Sequence, residues 1–167
     1  MQTTADFPMR RKERKLSEEA ALEIVRSTDH AALATVDGEG VPYCVPITPA
    51  YIDGALYFHS TPAKSRKGEN LHHNPRCSVL FVASDKTLEE EYSVDYASAI
   101  VDGLAEEVSD PEQKKAILRK FLERHTPHNP LEKNEAYIRE ALDHLKVWKI
   151  TILSVSGKAR TPGKWEK

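Results

Sequence analysis

The sequence predicts a mainly β protein, a small β-barrel with a few helices, and three observations carry that prediction. Apolar runs rich in β-branched and aromatic residues are separated by short turn signals, Asp37-Gly38-Glu39-Gly40 and Asp53-Gly54. Helical periodicity is confined to one stretch near the start and to a later block, so strands and helices do not alternate as βαβ units would. At 167 residues, with an apolar share of 40%, the chain fits one domain built on one core. Closing an antiparallel sheet hides its edges, and a barrel this small is filled by its own side chains. A ligand site is therefore expected at the rim or between subunits.

The elements follow in chain order. Residues 1–15 form a charged N-terminal arm. Leu16 to Ser27 is predicted as an amphipathic helix with Ser17 as its cap and Glu18 and Glu19 in the first turn. Residues 30–60 contain three β-rich runs and are predicted as a three-stranded meander. Pro46 and Pro49 fall in or beside the middle run, which must then lie at a sheet edge or leave the sheet, because proline donates no ladder hydrogen bond. Such backbone leaves N–H and C=O groups free for a ligand. Ser65 to Asn74 is predicted as a short helix stopped by Asn74-Pro75, and Arg76 to Ala83 as the next strand. Tyr92 to Leu104 is a further strand. Residues 110–145 are a helical insertion, one helix opening at Asp110-Pro111 and running to Arg124, a second over Asn134 to Leu145. Val147 to Val155 alternates as a final strand, and 157–167 is a polar tail.

Composition narrows the function. With 24 basic and 26 acidic side chains, the formal charge of -2 gives no positive field to hold nucleic acid or an anionic membrane. No run approaches the ~20 apolar residues of a membrane span, and no apolar segment follows the basic residues near the N-terminus, so a cytoplasmic location is expected. Cys44 and Cys77 lack the spacing of a redox pair or a zinc site and are expected to be reduced and buried.

The informative segment begins at Leu56-Tyr57-Phe58-His59-Ser60 and continues through Ser65-Arg66-Lys67 to Asn70-Leu71 and Asn74-Pro75. It brings hydroxyls and two cations to the start of a helix, where unpaired N–H groups and the helix dipole favour a phosphate. Alone, a Ser-Arg-Lys triplet is compatible with a solvated turn. The ordered set, with the proline-containing run before it, resembles the pyridoxamine-phosphate-oxidase-like family of FMN-binding split barrels. The resemblance extends from about His30 to Phe81, returns at Tyr92 to Asp110, and returns again at Ile150 to Lys158. Within the family, the start MRRKERK and the Leu-Tyr-Phe-His-Ser element are most similar to the nitroimidazole-resistance subgroup.

The resemblance implies that Ser65, Arg66 and Lys67 hold the FMN phosphate, with His59 and Ser60 beside the ribityl chain or the ring. It implies that Val45, Pro46, Ile47 and Thr48 line the isoalloxazine, and that Ser98 and Ala99 approach it from a neighbouring strand or the other subunit of a homodimer. The implied activity is that of an FMN-dependent oxidoreductase of a small molecule, nitroaromatic compounds included, with electrons from a transient NAD(P)H donor or a partner; no GxGxxG fingerprint is present, so no built-in dinucleotide domain is expected. A protein of the same fold that binds haem or flavin without turnover is the alternative. Two departures stand out: Lys64 lengthens the turn before Arg66 by one residue, and an arginine near Tyr43 and Cys44, carried by the true pyridoxamine-phosphate oxidases, is missing. That particular oxidase activity is not expected.

His59 is the candidate catalytic residue, able to donate a proton, to ligate a haem iron, or simply to satisfy a hydroxyl. His72, His73, His125 and His128 have no acidic or cysteine partner at metal-site spacing and are expected at the surface, so no metal is predicted. Trp148 is expected in the core, and Trp165 in the tail could stack on a flavin or on a second subunit.

Overall fold

A computed structural model describes residues 2–166 of the chain. Helix α1 spans Glu18–Ser27, and Ser17 caps it by accepting from the Ala20 N–H. Four strands follow: β1 (Ala31–Val36), β2 (Pro42–Ile47), β3 (Ala50–Ile52) and β4 (Ala55–Ser60). Helix α2 (Arg66–His73) precedes two long strands, β5 (Arg76–Leu88) and β6 (Ser93–Glu107). The helices α3 (Pro111–His125) and α4 (Leu131–Ala141) come next, and β7 (Lys146–Ala159) closes the set. Asp110 caps α3 with Pro111 in its first turn, as the Asp-Pro pair predicts.

All strand pairs are antiparallel, in the order β2-β1-β5-β6-β7-β4-β3. The two strands at opposite ends of that order, β2 and β3, are joined by only Thr48 and Pro49. So short a link brings the ends of the sheet together, and the sheet must curl on itself. This corrects the expected three-stranded meander. Residues 30–60 instead form two hairpins, with the prolines breaking one run at the place where the barrel is split. Asp53 and Gly54 turn the second hairpin with positive φ of 48° and 83°, the geometry that matches strand twist.

Strand alternation divides the side chains between two cores. Leu33, Leu56, Phe58, Val79, Phe81, Val101, Trp148 and Ile150 fill the barrel, joined by Ala20, Ala21, Ile24 and Val25 of α1. Phe58 and Trp148 stack across β4 and β7 with their centroids 6.1 Å apart. On the outer side, Ile117, Leu118 and Phe121 of α3 and Ile138 of α4 cover Ala55, Tyr57 and Val147. The helical insertion thus cloaks the outside of β3, β4 and β7. The outside of β2, β1, β5 and β6 has no α-helix over it; the N-terminal segment crosses part of it near Asp102, and Leu80 and Val82 stand exposed.

The tail folds back rather than reaching outward. Trp165 packs against the barrel core, and the Glu166 carboxylate accepts from the Ser17 N–H at 2.7 Å and the Ser17 hydroxyl at 2.6 Å. Trp165 is thus partly buried by its own barrel. The arm is also ordered along the barrel: Lys15 bridges to Lys158 of β7, and Arg14 donates to the Tyr96 hydroxyl. No helix among the described residues is long and apolar enough to cross a membrane.

Candidate functional site beside the barrel split

The split creates a cleft of about 400 Å³ lined by His30, Pro46, Ile47, Thr48, His59 and Lys67. Three elements converge on it, and each does so for a local reason. β2 is a terminal strand of the sheet, so alternate backbone groups along its outer edge have no strand partner. β4 carries His59 to its end. The start of α2 supplies Lys67, capped by Ser65, whose hydroxyl accepts from the Gly68 N–H at 3.3 Å.

The cations at this helix start differ in what holds them. Lys64 pairs with Glu69 at 2.7 Å. Arg66 lies 3.6 Å from the Asp37 carboxylate and 4.8 Å above the Tyr43 ring, which fixes its guanidinium against the β1–β2 hairpin. Asp37 is itself held below the usual carboxylate range, chiefly by the Val41 N–H. Lys67 is half-buried at the cleft wall and has no carboxylate within ion-pair reach among the described residues.

Other predicted site residues are placed less directly. Ile47 is buried and lines the cleft, Pro46 and Thr48 line it and are exposed, whereas Val45 packs against the core and is not among the lining residues. Thr48 Oγ1 sits 3.4 Å from His30 Nδ1. Ser60 is buried and accepts from the Trp148 indole N–H at 3.3 Å, which leaves its own proton free to donate and one lone pair free to accept. Ser98 and Ala99 are not brought to the cleft within one chain. β6 lies three places from β2 in the sheet, about 14 Å at the usual strand spacing. The Ala99 side chain points into the core between Phe81 and Gly157, while Ser98 faces out beside Val82 and Lys158.

His59 faces the helical insertion. Its ring meets the Phe121 ring edge-on at 5.0 Å, and Phe121 in turn contacts His125 at 4.6 Å. A second cavity of about 280 Å³ opens here, and it shares Thr48 and His59 with the cleft. Burial, and then the neighbouring His125, push the His59 pKa below its ordinary value. His125 is lowered by burial and by the adjacent Arg124. Both imidazoles are thus biased to the neutral form, able to donate one proton and accept another.

His125 corrects an expectation: it is half-buried, and its Nε2 is enclosed with no hydrogen-bond partner among the described residues. The signal was present in the sequence, since His125 stands one helical turn after Phe121 on the apolar face of α3. His72, His73 and His128 are at the surface as expected. The cysteine expectation holds for Cys77 and fails for Cys44, which is exposed because it alternates to the outside of β2 opposite Ala34. No group of His, Cys, Asp or Glu among the described residues is arranged to hold a metal.

A larger cavity, about 600 Å³, lies between the N-terminal segment and the outer face of β1, β5 and β6. Its buried acid, Asp102, already accepts from the hydroxyls of Ser78 and Ser154 and from the Thr4 N–H. That carboxylate is a structural anchor for the arm, remote from His59 and Lys67.

Residues 17–159, from the cap of α1 to the end of β7, match the sequence profile of the family described as pyridoxamine 5'-phosphate oxidase. The chain belongs to the pyridoxamine 5'-phosphate oxidase family. A solved structure similar to it is a protein assigned to 5-nitroimidazole antibiotic resistance from Bacteroides thetaiotaomicron, 27% identical, with 85% of this chain and 83% of that one covered and a TM-score of 0.72. A conserved hypothetical protein from Mycobacterium tuberculosis is 25% identical over 93% of each chain, with a TM-score of 0.77. An FAD-binding protein from Mesorhizobium loti is 26% identical over 89% of this chain and 98% of that one, with a TM-score of 0.63. The split barrel of the oxidase family thus houses flavin-binding proteins and, in another similar structure, a haem-binding one. No curated protein is similar enough to match the sequence.

Proposed function

We propose that the protein is an FMN-dependent oxidoreductase of small molecules that works as a homodimer. The observation that supports it is the meeting, in one cleft, of the unpaired Lys67 ammonium at the start of α2 with the free edge of β2 at Pro46 to Thr48. A flavin needs an anion site at one end and both donors and acceptors along the polar edge of its ring, and this cleft has both. In this reading Lys67, Arg66 and the Ser65 hydroxyl hold the phosphate, and Ser60 and His59 border the ribityl chain. Val45, Pro46, Ile47 and Thr48 present backbone to the ring. Bound FMN supplies the capacity to take up and pass on electrons. His59 positions a proton at the mouth of the cleft, and the helical insertion behind it excludes water.

The homodimer reading rests on the part of the outer face that neither the insertion nor the N-terminal segment covers. Pro46, Ala32, Leu80 and Ile100 lie in register across β2, β1, β5 and β6, an apolar row with no helix over it. A second copy placed there would bring its own Ser98 toward the cleft, the route by which β6 joins the site. A nitroaromatic acceptor and an NAD(P)H donor are the finer parts of this reading, the former favoured by the 27% identity to the nitroimidazole-resistance protein. A cytoplasmic location suits the exposed free thiol of Cys44.

The test is spectroscopic. Purified protein titrated with FMN is expected to bind it, Lys67→Ala to weaken binding by about tenfold or more, and NADPH to bleach the bound flavin. Absence of FMN binding would refute the proposal. The second reading, haem held through His59, is favoured by the open His59 imidazole at the cleft wall. It predicts a Soret band that His59→Ala abolishes.

A further inference from the structure

We propose that the chamber between β4 and the helical insertion is a separate compartment for the substrate, and that it selects uncharged aromatic molecules. The inference rests on the FMN reading of the adjacent cleft.

Two features of the chamber carry it. First, it communicates with the cleft through a shared wall: Thr48 and His59 line both cavities. A molecule in the chamber therefore lies against whatever occupies the cleft, with only those two side chains between. Second, its lining has no charge. Leu118, Phe121, Leu122 and Tyr137 make its walls, and no Asp, Glu, Lys or Arg is among its lining residues. The nearby Arg124 is engaged by Asp29 at 3.2 Å.

An ionic guest would give up much of its water there with no Asp, Glu, Lys or Arg of the lining to pair with, which disfavours it. A flat apolar guest, in contrast, finds Phe121 and Tyr137 as aromatic surfaces. Polar groups of the lining are hydroxyls and imidazoles, at Thr48, Thr126, His59 and His125, which suit one or two oxygen or nitrogen atoms on an otherwise apolar ring. At about 280 Å³ the chamber sits near the low end of ligand pockets.

The flank from which the chamber is built also matters. Its apolar side chains come from α3 and α4, which lie between β6 and β7 and outside the sheet that forms the cleft. Changing the insertion can therefore change the guest while leaving the cofactor cleft in place. Leu122 is half-buried and Tyr137 exposed at the rim, so both can be altered without opening the core.

The experiment uses the full-length protein loaded with FMN and no reductant. Menadione, an uncharged fused-ring quinone, and 2-naphthoate, a ring of similar size with a carboxylate, are titrated while the absorption of bound FMN is followed. Menadione is expected to perturb the flavin spectrum and to bind at least about tenfold more tightly than 2-naphthoate. Leu122→Trp, which fills the chamber, is expected to weaken menadione about tenfold or more, and Tyr137→Ala to weaken it too. FMN affinity should stay within about threefold in both variants. Equal binding of the two probes, or menadione affinity unchanged in both variants while FMN is retained, would overturn the inference and leave the cofactor reading intact. Failure of the unaltered protein to bind FMN would instead bring down the cofactor reading, and this inference with it.

Discussion

His59 and His125 carry a stability signature as well as a place at the site. Their pKa values in the folded chain lie below the ordinary 6.5, so the unfolded chain binds more protons as the pH falls past that value. The stability these groups contribute is complete above about pH 6.5 and is lost as the pH drops toward their folded pKa values. The thermal midpoint is expected to fall between about pH 7 and pH 5, and less steeply in a His59→Gln, His125→Gln double variant. An unchanged slope in that variant would assign the acid sensitivity elsewhere. The two thiols make a second contrast. Burial, with Asp102 nearby, pushes the Cys77 pKa up to about 12, and its thiol donates to the Gly103 carbonyl at 3.7 Å. Cys44 stands in solvent. Iodoacetamide at neutral pH should modify Cys44 alone until the protein is unfolded, and mass spectrometry of the peptides reads the difference directly.

At the scale of the elements, β6 shows how one residue lets two strands approach closely where their register shifts. The pairing of β6 with β7 shifts register between Asp102 and Gly103. A Cβ at Gly103 would stand 2.4 Å from Ile150 Cγ2 and 2.7 Å from the Thr151 carbonyl oxygen. A ladder carbonyl cannot swing aside as a side chain can, so the clash is met by shifting β7. Gly103→Ala is expected to destabilise the fold by about 1–3 kcal/mol, the usual range of overpacking. Gly163→Ala, with nothing within 4 Å, serves as its neutral control in the same urea titration. The capped helices are the elements most legible in the chain, because Ser17 and Asp110 announce α1 and α3 through local chemistry. Strand lengths were less so. β5 and β6 continue to Leu88 and from Ser93 as a hairpin projecting past the alternating apolar pattern, held by backbone pairing that polar side chains do not advertise.

For the whole molecule, the unequal dressing of the barrel is the main feature. One outer face is covered by the insertion, while the other carries only the N-terminal segment over part of its area, with Leu80 39% and Val82 48% exposed. If a second copy covers the rest of that face, Leu80→Asp should turn a dimer into a monomer in sedimentation and weaken FMN binding at the same time, since charge buried at an apolar interface lacks a partner. A wild-type chain that sediments as a monomer and still binds FMN tightly would contradict a shared site.

What the sequence determined by itself was whatever depends on neighbours in the chain. Hairpin turns, helix caps, the Ser65-Arg66-Lys67 helix start and the proline-bearing edge strand are all local, and their ordered set identified the family. Tertiary structure alone decided what depends on which face of an element meets which other. It set Thr48 and Pro49 at the split of the barrel, and it turned Ala99 inward and Cys44 outward. It also closed α3 over β4, so that His125, whose place on the apolar face of its helix was legible but whose neighbour was not, came to lie beside His59. The physical reason is that a period of two or 3.6 tells which residues share a face, while only the curling of the sheet tells what that face is packed against.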